Sequence, residues 1–186
     1  RVALRPGIFA AVLRRSYTHN LREFSDEFLE RKISFEAVTM VSAAQAAAIK
    51  SSWGDISSGD GGASVGLDMF IRYFTANPSM MSVFGYSGSP DSLRSNAKLQ
   101  NHGKKVLQQI GTAVSELDDA AKMTATLKAL GVRHKGFGDI KAAYFPPLGV
   151  SLIAAMEAKC GAKIDKGAWA AGYKAISDAI ISGIES

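Results

Sequence analysis

Two histidines lie inside helical apolar patterns and are the residues of this chain best suited to chemistry. His102 lies one helical turn before Val106, and His134 follows Leu127 and Leu130 at the same kind of spacing. Residues three and four apart share one face of a helix, so both imidazoles are predicted to face inward with apolar neighbours. An inward imidazole can bind a metal, relay a proton or form a buried hydrogen bond.

The two histidines must belong to different helices if they serve one site. They are 134 − 102 = 32 residues apart, which on one continuous helix is roughly 48 Å. Gly111 is predicted to weaken the end of the first helix, and Asp118 with Asp119 supplies a cap for the next. The pattern therefore predicts two helices whose histidines face each other.

The rest of the chain is also predicted to be helical. Ser42 followed by Gln45 predicts a capped first helix, and the residue before Pro78 ends the second. Two prolines bend or delay the first turns of a helix predicted over 140–159, and a last helix runs over about 165–184. Since no alternation with period two is sustained, we predict an all-α fold of seven or eight helices.

Composition excludes several classes of protein. The 186 residues are 47% hydrophobic with a formal charge of +5, which suits one domain over residues 40–186. No apolar run reaches the ~20 residues of a membrane-spanning helix. Basic residues are scattered and do not alternate with aromatics, so nucleic-acid binding is not expected. Cys160 is the only cysteine, which favours a reducing, cytoplasmic location over an intrachain disulfide, although a bridge to a second chain stays open.

Residues 1–39 form a predicted N-terminal extension with a different composition. Several arginines precede the first acidic residue, Glu23, as in a mitochondrial targeting peptide. Met40 is the first methionine and the favoured natural start, with the preceding residues a translated upstream segment or a cloning remnant. A shortened targeting peptide and an amphipathic pre-helix are the alternatives, and none is expected to pack on the core.

Each histidine has simpler interpretations. A lone histidine on an apolar face is most often a hydrogen-bonded core residue. Structural zinc lacks ligands, because no second histidine, cysteine pair or acidic pair has the required spacing. A nucleophilic triad is not favoured, since Cys160 is distant in sequence and no Gly-x-Ser-x-Gly turn occurs. A haem needs only one imidazole on iron, a second opposite, and an apolar cage.

At these residues the chain resembles a known family. From Ser42 to Ser186 it resembles the globins, most closely the intracellular single-domain haemoglobins of marine annelids such as the bloodworm. The matching stretches are Ser42-Ala43-Ala44-Gln45 with Trp53, Asn77-Pro78 leading to Phe84, His102-Gly103-Lys104-Lys105-Val106, Val132-Arg133-His134-Lys135-Gly136, and Trp169 to Tyr173.

The resemblance implies a role for each residue around the iron. His134 would be the proximal ligand, donating its second N–H to a carbonyl near Leu130, and His102 would be the distal histidine. Phe84 would wedge against the porphyrin, while Phe70 and Val106 would crowd the distal side. Further implied pocket residues are Leu130, Ile140, Phe145 and Leu148 on the proximal side and floor, and Lys105 beside a propionate. Gly66 and Gly103 would lie where two helices cross closely.

The resemblance also implies the function. A haem b would bind dioxygen reversibly, and also CO or NO, for oxygen transport or storage rather than enzymatic turnover. The protein would be a monomer or a weak homo-oligomer. Two alternatives stay open: a haem redox enzyme acting as nitric-oxide dioxygenase or peroxidase, although no flavin motif accompanies the domain, and a haem-free helical interaction module.

Overall fold

The computed structural model describes residues 41–138 and 140–186. Within these ranges all regular structure is helical, which confirms the predicted all-α class. The seven α-helices are α1 Ala43–Ser57, α2 Ala63–Ala76, α3 Met80–Val83, α4 Ala97–Ser115, α5 Ala120–His134, α6 Phe145–Cys160 and α7 Lys166–Ile184. Short 3₁₀ turns lie at Pro90–Ser95, Lys135–Phe137, Ala142–Tyr144 and Gly161–Lys163.

Residues 1–39, which the predictions for the N-terminal extension concern, lie outside these ranges, and so does Met40. The division of the chain into 1–39 and 40–186 therefore stays a prediction. In the part of the chain that is described, every helix is too short or too polar to cross a bilayer.

Side-chain caps start the helices where the sequence predicts them. Ser42 Oγ accepts from the Gln45 backbone N–H at 3.2 Å, and Gln45 Oε1 accepts from the Ser42 N–H at 2.9 Å, forming the predicted capping box. Asp119 caps α5 by accepting from the Lys122 N–H at 3.0 Å, again as predicted. These bonds satisfy donors that have no partner within the helix.

Gly111 lies one turn before the end of its helix rather than at the end. Helix α4 continues to Ser115. A Cβ on Gly111 would lie 2.8 Å from a ring carbon of Trp53. The glycine is therefore needed for packing between α4 and α1, because any side chain would displace the indole.

The two prolines delay α6, as predicted, and α6 begins at Phe145 rather than near Ile140. Pro146 and Pro147 occupy its first turn. Backbone N–H groups in the first turn have no acceptor within the helix, so a proline there breaks no helical hydrogen bond.

Helix α2 supplies much of the core. Its Phe70, Tyr73 and Phe74 are almost completely buried, and α2 packs against both α4 and α6. Across the molecule, Trp169 of α7 is buried and its Nε1 donates to Ser52 Oγ of α1 at 3.0 Å. The core thus ties the first and last described helices together by a satisfied polar contact.

Two pairs of glycines let helices touch backbone to backbone. A Cβ on Gly66 would lie 2.3 Å from the Gly103 carbonyl oxygen, so α2 and α4 cross as closely as predicted. A second crossing, which the sequence analysis missed, joins α5 and α7: a Cβ on Gly131 would lie 2.0 Å from the Ile180 carbonyl oxygen, and one on Gly183 would meet α5 as closely. Gly103 follows His102, and Gly131 precedes His134 by one turn.

The glycine crossing makes a testable prediction about stability. Gly66→Ala should lower the free energy of unfolding by ~1–3 kcal/mol or more, since neither backbone can move aside locally. Gly54→Ala is the matched control, because it is a helical glycine with no atom within 4 Å of an added Cβ; it should stabilise by up to ~1 kcal/mol. Urea denaturation measures both. Equal stability of the two variants would contradict the close approach.

Candidate functional site

His134 is the last residue of α5, and a local bond orients its ring. Its Nδ1 lies 2.8 Å from the carbonyl oxygen of Leu130, one turn earlier. Because a carbonyl can only accept, Nδ1 must carry the proton, and in the neutral ring Nε2 then keeps a free lone pair. The half-buried imidazole is thus an oriented base of the kind that binds a metal. The hydrogen bond agrees with the one predicted.

An aromatic side chain lies against the same imidazole. Phe137, in the 3₁₀ turn that follows α5, has its ring centroid 5.9 Å from that of His134 at an interplanar angle of 83°. The Phe137 side chain is otherwise 75% exposed. This contact was not predicted, although Phe137 follows His134 at a three-residue spacing that could have indicated it.

His102 lies on α4 beside two aromatic rings. Its imidazole centroid is 5.0 Å from that of Phe70 and 6.2 Å from that of Phe84. Phe70 and Phe84 also contact each other edge to face at 5.7 Å. The imidazole makes no hydrogen bond to any group in residues 41–138 or 140–186. Its polar nitrogens therefore remain available for a ligand.

The surroundings of His102 favour its neutral form. Burial is the main cause that lowers the pKa of His102. Positive charge on His134, Lys105 and Lys98 lowers this pKa further. At neutral pH the His102 ring therefore has one N–H to donate and one lone pair.

Aromatic side chains of α2 seal the His102 side. Phe74 packs edge-on against Phe84 at 5.4 Å and stacks with Phe70 at 5.9 Å. Tyr73 contacts Phe84 at 6.3 Å. These are the edge-to-face and offset arrangements that aromatic rings prefer.

The other predicted pocket residues divide between two apolar clusters. Val106 and Leu148 are half-buried against the larger cluster, which includes Phe70 and the Phe84 neighbourhood. Leu130 and Phe145 are half-buried against a smaller cluster between α5 and α7. Ile140 is half-buried and Lys105 is exposed. Leu148, expected on the proximal side, thus packs in the same cluster as Val106 rather than with Leu130 and Phe145.

The donor set fits iron in a macrocycle better than a bare metal ion. Among the residues described, no three histidine, cysteine or acidic side chains form a group that could hold a metal. A site with one oriented imidazole needs a ligand that brings the remaining donors itself. Haem meets that requirement, since the porphyrin supplies four nitrogens and the protein only axial ligands.

Comparisons with known proteins identify relatives of this chain. A family model described as Globin matches residues 67–180. Polymeric component P3 of the globin of Glycera dibranchiata is 59% identical over 146 residues, which cover 78% of this chain and 99% of that one. Polymeric component P2 from the same worm is 56% identical over the same coverage.

A solved structure shares the fold. A hexacoordinated haem protein from an anhydrobiotic tardigrade superposes with a TM-score of 0.71 at 20% identity, covering 80% of this chain and 97% of that one. At that identity the likeness concerns the fold alone. The family match and the annelid relatives show that this chain belongs to the globin family.

Proposed function

We propose that this globin holds haem b between His134 and His102, binds dioxygen reversibly, and serves oxygen transport or storage in the cytoplasm. The observation that carries the proposal is the His134 Nδ1 bond to the Leu130 carbonyl at 2.8 Å, which leaves Nε2 as an oriented ligand. The ferrous iron of the haem would supply the reversible bond to dioxygen.

On the proximal side, the chain's contribution is to hold one imidazole in a fixed tautomer and direction. The Leu130 carbonyl accepts the Nδ1 proton, so Nε2 cannot be protonated without charging the ring. Such a partner raises the basicity of a metal-binding imidazole and restricts its rotation. His134 is therefore the proposed proximal ligand.

On the distal side, His102 provides one N–H. In its neutral form it can donate to a polar ligand in the space between the imidazoles, and a buried bond of this type contributes ~1–3 kcal/mol, about ten- to a hundredfold in affinity. Carbon monoxide is a poorer acceptor and gains less. NO is a further expected ligand.

The remaining proposed residues keep the site dry. Phe70 is almost completely buried, and Phe84 and Val106 are half-buried against the same cluster. Excluding water limits proton-assisted oxidation of the iron and so favours reversible binding over turnover. Lys105 is the proposed propionate partner, and its charge already acts on His102.

Self-association is part of the proposal. The two annelid relatives are named as polymeric components, which favours the weak homo-oligomer over the monomer for this chain. Sedimentation velocity over a range of protein concentrations should show an average mass that rises with concentration. A single monomeric species throughout would contradict this part.

The absorption spectrum of the purified full chain tests the function. We expect the protein to bind haem and to show a pentacoordinate ferrous spectrum in the absence of oxygen. Adding oxygen should change this spectrum, and removing the oxygen should restore it. A colourless protein would favour a helical interaction module. Sustained turnover of nitric oxide or peroxide with a physiological electron donor would favour a redox enzyme.

A further inference from the structure

Two tyrosines from different helices bond to adjacent carbonyls at the start of α6. The Tyr73 hydroxyl of α2 donates to the Tyr144 carbonyl oxygen at 3.2 Å. The Tyr173 hydroxyl of α7 donates to the Phe145 carbonyl oxygen at 3.0 Å. These bonds join positions 71 and 28 residues apart, so they are contacts of the tertiary fold rather than of local structure.

Both phenols are built into the interior. The Tyr73 side chain is completely buried. The Tyr173 ring lies on Gly149 of α6, where an added Cβ would be 2.4 Å from two ring carbons. Burial raises the pKa of both phenols, and the neighbouring phenols Tyr144 and Tyr73 raise it further for Tyr73 and Tyr173 respectively. Both groups therefore stay protonated and act as permanent donors.

The segment they hold connects His134 to α6. Its described parts are the turn Lys135–Phe137 with Gly138 in a left-handed conformation at φ +108°, and residues 140–144 with the turn Ala142–Tyr144. The first turn of α6 contains two prolines, which lack the backbone N–H groups that could tie it to a neighbour. The two tyrosine hydroxyls thus hold the C-terminal end of this connection. Its N-terminal end is His134, the proposed iron ligand.

Tyr73 also contacts the opposite side of the site. Its ring centroid is 6.3 Å from that of Phe84, and the Phe84 centroid is 6.2 Å from that of His102. One side chain therefore touches the wall on the His102 side while its hydroxyl holds the segment that leads from His134. No other tyrosine hydroxyl in the described ranges bonds to this segment.

We propose that Tyr73 and Tyr173 are positioning residues that clamp the start of α6, so that the His134 side of the site keeps one geometry and oxygen leaves slowly. This inference rests on the proposed oxygen-binding function. The two residues act through the connection from His134 and through Phe145, not by touching the ligand.

Single hydroxyl deletions test the clamp. Tyr73→Phe and Tyr173→Phe keep the rings and remove only the donors. Tyr86→Phe is the matched control, because Tyr86 packs on Phe74 at 6.0 Å and its hydroxyl bonds to no group in the described residues. All three variants are compared with the wild-type full chain carrying haem.

Two measurements give the expected results. Amide hydrogen exchange over residues 140–149 should be roughly two- to tenfold faster in Tyr73→Phe and Tyr173→Phe than in Tyr86→Phe. This is the acceleration expected when one buried hydrogen bond is lost. Oxygen dissociation by stopped flow should be at least about twofold faster by the same argument, and the iron–histidine stretching band of the deoxygenated protein should shift.

Each contrary result has a distinct meaning. A wild-type protein that does not bind oxygen would overturn the proposed function itself. If the wild type binds oxygen but both variants match Tyr86→Phe in oxygen dissociation and in the stretching band, the positioning role is overturned, even where exchange is faster. Gly149→Ala is a second route: it displaces the Tyr173 ring with the hydroxyl intact and should reproduce the Tyr173→Phe effects.

Discussion

Replacing His134 with Ala is expected to abolish stable haem retention. The variant loses the imidazole whose Nδ1 is held by the Leu130 carbonyl at 2.8 Å, and His102 has no such partner in the described residues to make it an oriented substitute. Loss of only an outer-shell partner costs about ten- to a hundredfold in metal affinity, so loss of the ligand itself should accelerate haem transfer to an acceptor apoprotein by more than about a hundredfold.

Two further variants make that test specific. His102→Leu is the matched control, because it also removes an imidazole and should still retain haem. His134→Gly leaves room for a small molecule, so added imidazole should restore haem binding and the ferrous spectrum. A His134→Ala protein that keeps its haem with an unaltered spectrum would show that the proximal assignment is wrong.

Replacing His102 with Leu is expected to speed oxygen dissociation by about ten- to a hundredfold. Leucine keeps the apolar contact with Phe70 and Phe84 but has no N–H to donate. Carbon monoxide binding should change much less, because bound carbon monoxide is a weaker hydrogen-bond acceptor than bound oxygen. Stopped-flow mixing with dithionite measures the oxygen rate, and flash photolysis measures carbon monoxide rebinding.

A graded variant controls for changes in packing. His102→Gln retains a donor on a shorter, more flexible side chain and should fall between the wild type and His102→Leu. Equal oxygen rates in all three proteins would remove the proposed distal role, whereas equal shifts for oxygen and carbon monoxide would point to altered access rather than a lost hydrogen bond.

Features that depend on neighbours in sequence could be predicted. The caps at Ser42 and Asp119 and the delayed start of α6 follow from spacings of one helical turn or less. The bond from His134 to the Leu130 carbonyl is also local. Helical periodicity alone placed both imidazoles on apolar faces, because a helix repeats its direction every 3.6 residues.

Features that depend on contacts between distant segments could not be predicted from the sequence. The low helix propensity of glycine predicts that Gly111 weakens the end of its helix, but its packing against the Trp53 ring depends on a residue 58 positions away. The contact of Gly131 with α7 and the bond from Tyr73 to Tyr144 join residues whose pairing no periodicity encodes. The roles of Ile140 and Leu148 come from family resemblance, and their half-burial alone does not assign them.

The glycine crossings have a consequence for redesigning the pocket. Each histidine-bearing helix meets its neighbour through main-chain atoms, at Gly66 with Gly103 and at Gly131 with Gly183. The distance between the paired helices is therefore set by contact between their backbones. Substitutions at other positions do not change this contact. Combinatorial libraries that vary the apolar lining of the proposed pocket should keep these four glycines, so that both helix crossings are preserved.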